Sequence, residues 1–112
     1  LATQGGYGAS KSALRAATKH LALELGGDNI RVNSCHMGWM WGPAVEGYFD
    51  WQSQASGRSK EELMAEVTRS IPLGHIPDDG DCAKAAVFLG SDYARVVTGA
   101  ALDVNGGEYM PL

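Results

Sequence analysis

The longest periodic stretch of the chain runs from Tyr7 to Leu25. Leu14, Ala17, Leu21 and Leu25 recur at steps of three and four, while Ala13, Ala16 and Ala22 keep a neighbouring strip thin. That repeat predicts a helix with one apolar face. Its small residues suit close packing on a sheet or on a twin helix. Gly26-Gly27 predicts the end, because glycine readily takes the backbone that closes helices. From Ile30 to His36 apolar residues alternate with polar or small ones, and a period of two predicts a short strand. The connection between them is short, so helix and strand belong to one α/β unit.

Met37 to Gly42 carries Gly38 and Gly42 just ahead of Pro43 and predicts a loop. Pro43 fits a first helical position, and Pro43–Gln54 predicts a short helix with Val45, Tyr48, Phe49 and Trp51 as its apolar members. Ser59 with Glu62 three residues later predicts a capping box, opening a helix with Leu63, Met64 and Val67 as its stripe. Pro72 and Pro77 bracket a passage expected to be extended. Asp79 or Asp81 is expected to cap the next helix, through Ala83, Ala86, Val87 and Leu89. Ala100–Val104 predicts a second strand, which Asn105-Gly106-Gly107 breaks. Two strands do not make a stable α/β sheet alone. The remaining strands are expected from sequence upstream.

Composition narrows the class. Of 112 residues, 45% are hydrophobic and 20% charged, the balance of an ordinary globular chain, with no run apolar enough to suggest a membrane span. A net charge of −4 argues against a nucleic-acid binder, which needs a basic face. Cys35 and Cys82 lie far apart, and His20, His36 and His75 follow no ligand spacing, so no metal site is expected. Two unpaired thiols suit a reducing, cytoplasmic setting. Asp78-Asp79-Gly80-Asp81 has the look of a calcium loop but lacks the rest of one, and a helix start accounts for it better. His36 is expected to be structural.

The chemistry concentrates in Tyr7-Gly8-Ala9-Ser10-Lys11. A step of four puts Tyr7 and Lys11 on one helix face, one turn apart. A fixed ammonium beside a phenol favours the phenolate, and such a phenol can give a proton to an oxygen on which negative charge develops. Gly8, Ala9, Ser10, Ser12 and Ala13 leave room for a flat ligand or another helix.

Four patches in order then resemble the C-terminal part of a short-chain dehydrogenase/reductase. They are Tyr7–Lys11; Ile30-Arg31-Val32-Asn33-Ser34 with the glycine loop after it; Ala83–Asp92; and Val97-Thr98-Gly99 leading to Leu102-Asp103-Val104-Asn105-Gly106-Gly107. The resemblance implies a Rossmann-type, doubly wound parallel sheet of the α/β class. Residues 1–112 would be the C-terminal part of a single NAD(P)-binding domain, with a substrate lid at about 39–75. It implies NAD or NADP as cofactor and interconversion of a secondary alcohol and a ketone. Tyr7 would be the proton donor or acceptor and Lys11 would hold the nicotinamide ribose. Met37, Gly38, Trp39 and Met40 would line the nicotinamide, with Met37 standing where the family has proline. Gly42-Pro43 replaces the family's threonine, so no side-chain phosphate contact is carried over.

The family's glycine motif and catalytic serine would lie upstream, beyond Leu1–Gln4, and Thr3 does not substitute for the serine. The chain alone is therefore expected to be inactive. Trp39, Trp41 and Tyr48 are the lid residues expected to face substrate, which implies a small apolar or ring-bearing alcohol or ketone. Most of the other rings are expected simply to pack the lid. The resemblance also implies a homodimer or homotetramer, with the Tyr7 helix at one contact. Two alternatives stand beside it. One is an enoyl-thioester reductase, a subgroup that usually spaces its tyrosine and lysine further apart. The other is a non-catalytic fragment or degenerate relative that serves subunit association.

Overall fold

A computed structural model of the chain describes residues 5–109; Thr3 lies outside them. Helix α1 spans Gly5–Leu25, strand β1 Ser34–Met37, α2 Pro43–Ser56, α3 Lys60–Thr68, α4 Asp79–Gly90 and strand β2 Ala101–Val104. The strands pair as a two-stranded parallel sheet. The chain divides into two compact units. One takes in the described residues up to Cys35 together with Phe88–Leu102, and the other His36–Val87 together with the described residues from Asp103.

In the first unit α1 ends where its periodicity ends, but the glycines do not supply the left-handed residue. A short 3-10 turn, Gly26–Asp28, follows Leu25, and Asn29 takes φ 59° with its N–H donating to Gly26 O at 3.0 Å. Asparagine tolerates that backbone better than most side chains. The apolar face of α1 is only partly covered. Thr18 and Ala22 are buried, whereas Leu14 and Leu21 stay exposed.

The strand expected over Ile30–His36 is shorter and shifted, and the reason is chemical. Arg31 to Asn33 bond largely through side chains. The Arg31 guanidinium donates to Leu89 O at 2.7 Å and to Ser91 O and Val97 O at 3.2 Å each. Asn33 Nδ2 donates to Val97 O and its Oδ1 accepts the Ala100 N–H, at 2.9 and 3.0 Å. Val32 N–H goes to Thr98 Oγ1 and its carbonyl accepts from Gly99 N–H. Five planar donors let one arginine close several orphan carbonyls at the end of α4 and the loop after it. Regular pairing begins only at Ser34, and it carries Met37, expected in the loop, into β1 as its last residue.

The second unit has its own core. Phe49 of α2, Leu63 of α3, Ile71 and Ile76 are buried together, with Trp39, Trp41, Val45, Met64 and Val67 packed on them. Ser59 caps α3 as expected, its Oγ accepting the Glu62 N–H at 3.2 Å. The return half of the box is diverted, because the Glu62 carboxylate reaches Arg58 Nε at 3.5 Å. Lys60 ties α3 back to α2, with Nζ 2.9 Å from Asp50, 3.7 Å from Glu46 and 5.7 Å from the Trp41 ring centroid.

Two local expectations are corrected here. Pro72 to Pro77 is not extended throughout. The chain turns at Pro72–Leu73, with Gly74 N–H on Ile71 O, before Asp78 bridges to Trp41. The cap of α4 is Asp78 rather than Asp79 or Asp81. Its Oδ1 accepts the Gly80 N–H at 2.9 Å and its carbonyl accepts from Cys82. Asp81 instead pairs with Lys84 at 2.7 Å.

After β2 the chain turns sharply at Gly106 (φ 66°) and Gly107 (φ 89°). A Cβ on Gly106 would come within 2.7 Å of Ile71 Cγ2, in the middle of the core. Gly106→Ala therefore combines left-handed strain with overpacking and should cost about 2–3 kcal/mol. A urea midpoint unchanged from that of the parent protein would contradict this account of the turn.

Candidate active site

The site residues expected from the sequence fall into two groups, one in each unit. Tyr7 and Lys11 stand on the first turns of α1, in the first unit. The helical step brings them together as the spacing requires, with Lys11 Nζ 5.4 Å from the Tyr7 ring centroid. The ammonium thus lies over the face of the ring, a cation–π contact worth about 0.5–1 kcal/mol at an exposed site. Tyr7 is 64% exposed. Ser10 turns inward on its own helix, Oγ donating to Tyr7 O at 2.8 Å.

The second group is Met37, Gly38, Trp39 and Met40, followed by Trp41. Met37 and Gly38 are exposed, and the next three are half-buried. Trp39 lies 5.7 Å from both Tyr48 and Phe49, tilted on the first and stacked on the second. Trp41 stacks on Phe49 at 6.2 Å. Tyr48 meets Phe49 edge-on at 5.3 Å. Such offset and edge arrangements are those that aromatic quadrupoles favour. The cluster explains why the segment expected to be a lid is itself well packed: Phe49 is its floor, and Trp39, Trp41 and Tyr48 form the layer above.

The backbone of this loop is held on both sides of Met40. Trp39 N–H donates to Glu108 Oε2 at 3.3 Å. Trp41 N–H donates to Pro77 O at 2.7 Å and its carbonyl accepts from Asp79 N–H at 3.0 Å. Gly38 is required by its neighbours. A Cβ there would sit 2.9 Å from Asn105 Cβ and would collide with the Glu108 carboxylate. The sequence reading missed Glu108 and Asn105. The Asn-Gly-Gly turn was visible, but not the loop it meets, 69 residues earlier.

Elsewhere, His36 lies half-buried within β1. Cys35 and Cys82 are free, and burial pushes the Cys82 thiol above its usual range, which keeps it protonated and unreactive. Among the described residues no group of three or more His, Cys, Asp or Glu is arranged to hold a metal ion. None of the described helices is long and apolar enough to cross a membrane.

Comparison with known proteins gives the family. Residues 1–108 match the family model described as enoyl-(acyl carrier protein) reductase. The (3R)-3-hydroxyacyl-CoA dehydrogenase of Canis lupus familiaris is 34% identical over 96% of this chain and 37% of its own. The 3α-hydroxysteroid dehydrogenase of Mediterraneibacter gnavus is 39% identical over 90% of this chain and 36% of its own. Among solved structures, L-sorbose reductase from Gluconobacter frateurii, complexed with NADPH and L-sorbose, superposes with a TM-score of 0.87 at 29% identity, over 95% of this chain and 41% of that one. The chain belongs to the short-chain dehydrogenase/reductase family of oxidoreductases and has the corresponding part of its Rossmann-type fold. It spans a little over a third of the length of the curated relatives it matches.

Proposed function

We propose that the intact protein is an NAD(P)-dependent oxidoreductase that interconverts a secondary alcohol and a ketone, with Tyr7 as the proton donor and acceptor. The observation that carries this reading is the Lys11 ammonium lying over the exposed Tyr7 ring, 5.4 Å from its centroid. Each unit holds donors that suit a part of a nicotinamide nucleotide. Lys11 brings three N–H donors and a positive charge for ribose hydroxyls. Gly38, Trp39 and Met40 bring loop backbone for the carboxamide, beside Met37. When bound, the dinucleotide supplies or accepts the hydride.

The chain's own residues manage the proton. In reduction the Tyr7 hydroxyl donates to the carbonyl oxygen as negative charge grows there. In oxidation the phenolate oxygen takes the proton from the alcohol. Lys11 stabilises the charge left on Tyr7 and keeps the ring oriented. Trp39, Trp41 and Tyr48 would form the wall that excludes water over an apolar or ring-bearing substrate. Residues 1–112 would then be part of one nucleotide-binding domain, with the lid at about 39–75. Assembly into a homodimer or homotetramer belongs to the same reading. The two free thiols fit a cytoplasmic setting.

Lys11→Met in the intact protein should weaken NADH or NADPH binding by about tenfold and slow turnover as well, since charged hydrogen bonds to the ribose would be lost. Titration of cofactor fluorescence measures the first effect. Unchanged affinity would remove Lys11 from the ribose, and an intact protein that bound neither dinucleotide would remove the whole reading. A second reading, reduction of an enoyl thioester, is favoured by the description of the matched family. Secondary alcohols and a crotonyl thioester, offered in parallel, separate the two. Turnover of the thioester alone would select the second.

A further inference from the structure

The loop expected to meet the nicotinamide is gripped by a carboxylate from the far end of the chain, and that grip is built rather than incidental. Asn105 is 5% exposed, and both ends of its amide are used. Its Nδ2 donates to Tyr109 O and its Oδ1 accepts the Gly107 N–H, each at 2.9 Å. Its carbonyl accepts the Glu108 N–H at 3.2 Å. Gly106 and Gly107 take positive φ, and Gly107 lies so close to Pro72 that a Cβ would come within 3.0 Å of its ring. The turn is thus fixed by its own bonds and by the core beneath it. It directs Glu108 at one place, where Oε2 accepts the Trp39 N–H at 3.3 Å and the carboxylate fills the space a side chain on Gly38 would need.

We propose that Glu108 is a positioning residue for dinucleotide binding, holding the Gly38–Trp39 backbone in place through the Trp39 N–H. The proposal rests on the oxidoreductase reading above. With Trp39 held by Glu108 and Trp41 by Pro77 and Asp79, the peptide groups at Met40 are presented between two fixed points. A loop ordered in advance loses less entropy when a ligand docks on it. Met37, standing where a proline would stiffen the backbone, makes such an external clamp useful. Glu108 touches neither hydride nor proton, so its effect should fall on binding and leave the chemical step alone.

The test uses the intact protein with Glu108→Ala, Glu108→Gln and the pair Gly38→Ala and Gly38→Ala/Glu108→Ala. Glutamine keeps an acceptor oxygen at the same reach. Glu108→Ala should raise the dissociation constant for NADH or NADPH about tenfold, leave kcat at saturating dinucleotide near the parent value, and speed hydrogen exchange at the Trp39 amide. Glu108→Gln should restore both binding and protection. Gly38→Ala evicts the carboxylate by a different route and also crowds Asn105, so the double variant should be no worse than Gly38→Ala alone. Faster exchange at Trp39 with unchanged affinity in Glu108→Ala would overturn the proposal, as would equal damage from Gln and Ala, or fully additive losses in the cycle. Absence of dinucleotide binding in the parent protein would instead sink the oxidoreductase reading, and this proposal with it. That failure is told apart because it is seen before any substitution.

Discussion

Tyr7→Phe should lower turnover of the intact protein by about 10²–10⁴-fold, the range general acid–base groups supply, equivalent to roughly 3–5 kcal/mol of barrier. Dinucleotide affinity should hardly change. The reason is in the contact that Tyr7 makes. Lys11 Nζ lies over the face of its ring, 5.4 Å from the centroid, and phenylalanine keeps that face. The lysine therefore stays where it is, and only the oxygen that carries the proton is removed. The check is a pair of measurements on one sample: steady-state turnover of a secondary alcohol, and cofactor titration. Activity surviving within a few-fold would show that another group handles the proton. Equal losses in affinity and rate would show that the substitution had disturbed α1 instead.

The largest stability effect belongs to Phe49→Ala. Phe49 is 1% exposed and underlies Trp39, Trp41 and Tyr48 at centroid distances of 5.7, 6.2 and 5.3 Å. Truncation leaves a cavity that three rings cannot collapse into without losing their mutual geometry, so a cost of about 3–5 kcal/mol is expected. That is a large share of the roughly 5–15 kcal/mol by which folded domains are stable. A denaturant titration followed by near-ultraviolet circular dichroism, which reports on the tryptophans, measures it. A loss below about 1 kcal/mol would mean that the aromatic layer is held from elsewhere. Trp51 offers the contrast. It is 63% exposed and meets only the outer edge of the cluster, 6.4 Å from Tyr48, and its removal should be mild.

These two substitutions also mark where the sequence was informative. Tyr7 and Lys11 form a local pair. A step of four on a strongly periodic helix fixes their neighbourhood, and no distant residue is needed to know it. The Ser59 cap is equally local, and the structure has it where the pattern predicts. Periodicity also located α2, α3 and the second strand to within a few residues. Its failures share one cause. Ile30–Asn33 alternates as a strand should, yet Arg31 and Asn33 spend their side chains on the carbonyls of Leu89, Ser91 and Val97, partners about 60 residues away. Three aspartates near one helix start could each cap it. Only the position of Cys82 N–H and Gly80 N–H over Asp78 selects one.

The aromatic segment shows the same division more sharply. Trp39, Trp41, Tyr48, Phe49 and Trp51 could be recognised as a cluster from their crowding, and their apolar character was sufficient to suggest a wall. Which ring is buried and which is open depends on α2 lying against α3 with Ile71 and Ile76 beneath. That arrangement places Phe49 inside and leaves Tyr48 and Trp51 out.

The amino-acid order by itself determined the family, the helical framework and the Tyr7–Lys11 pair, because each is written in spacings shorter than two helical turns or in motifs that keep their order. Tertiary structure alone decided that Gly38 must be a glycine, that Asp78 caps α4 and that Glu108 reaches the Trp39 N–H. Each of these depends on chain segments far apart in sequence whose approach is set by packing, and no local pattern encodes a distance across a core.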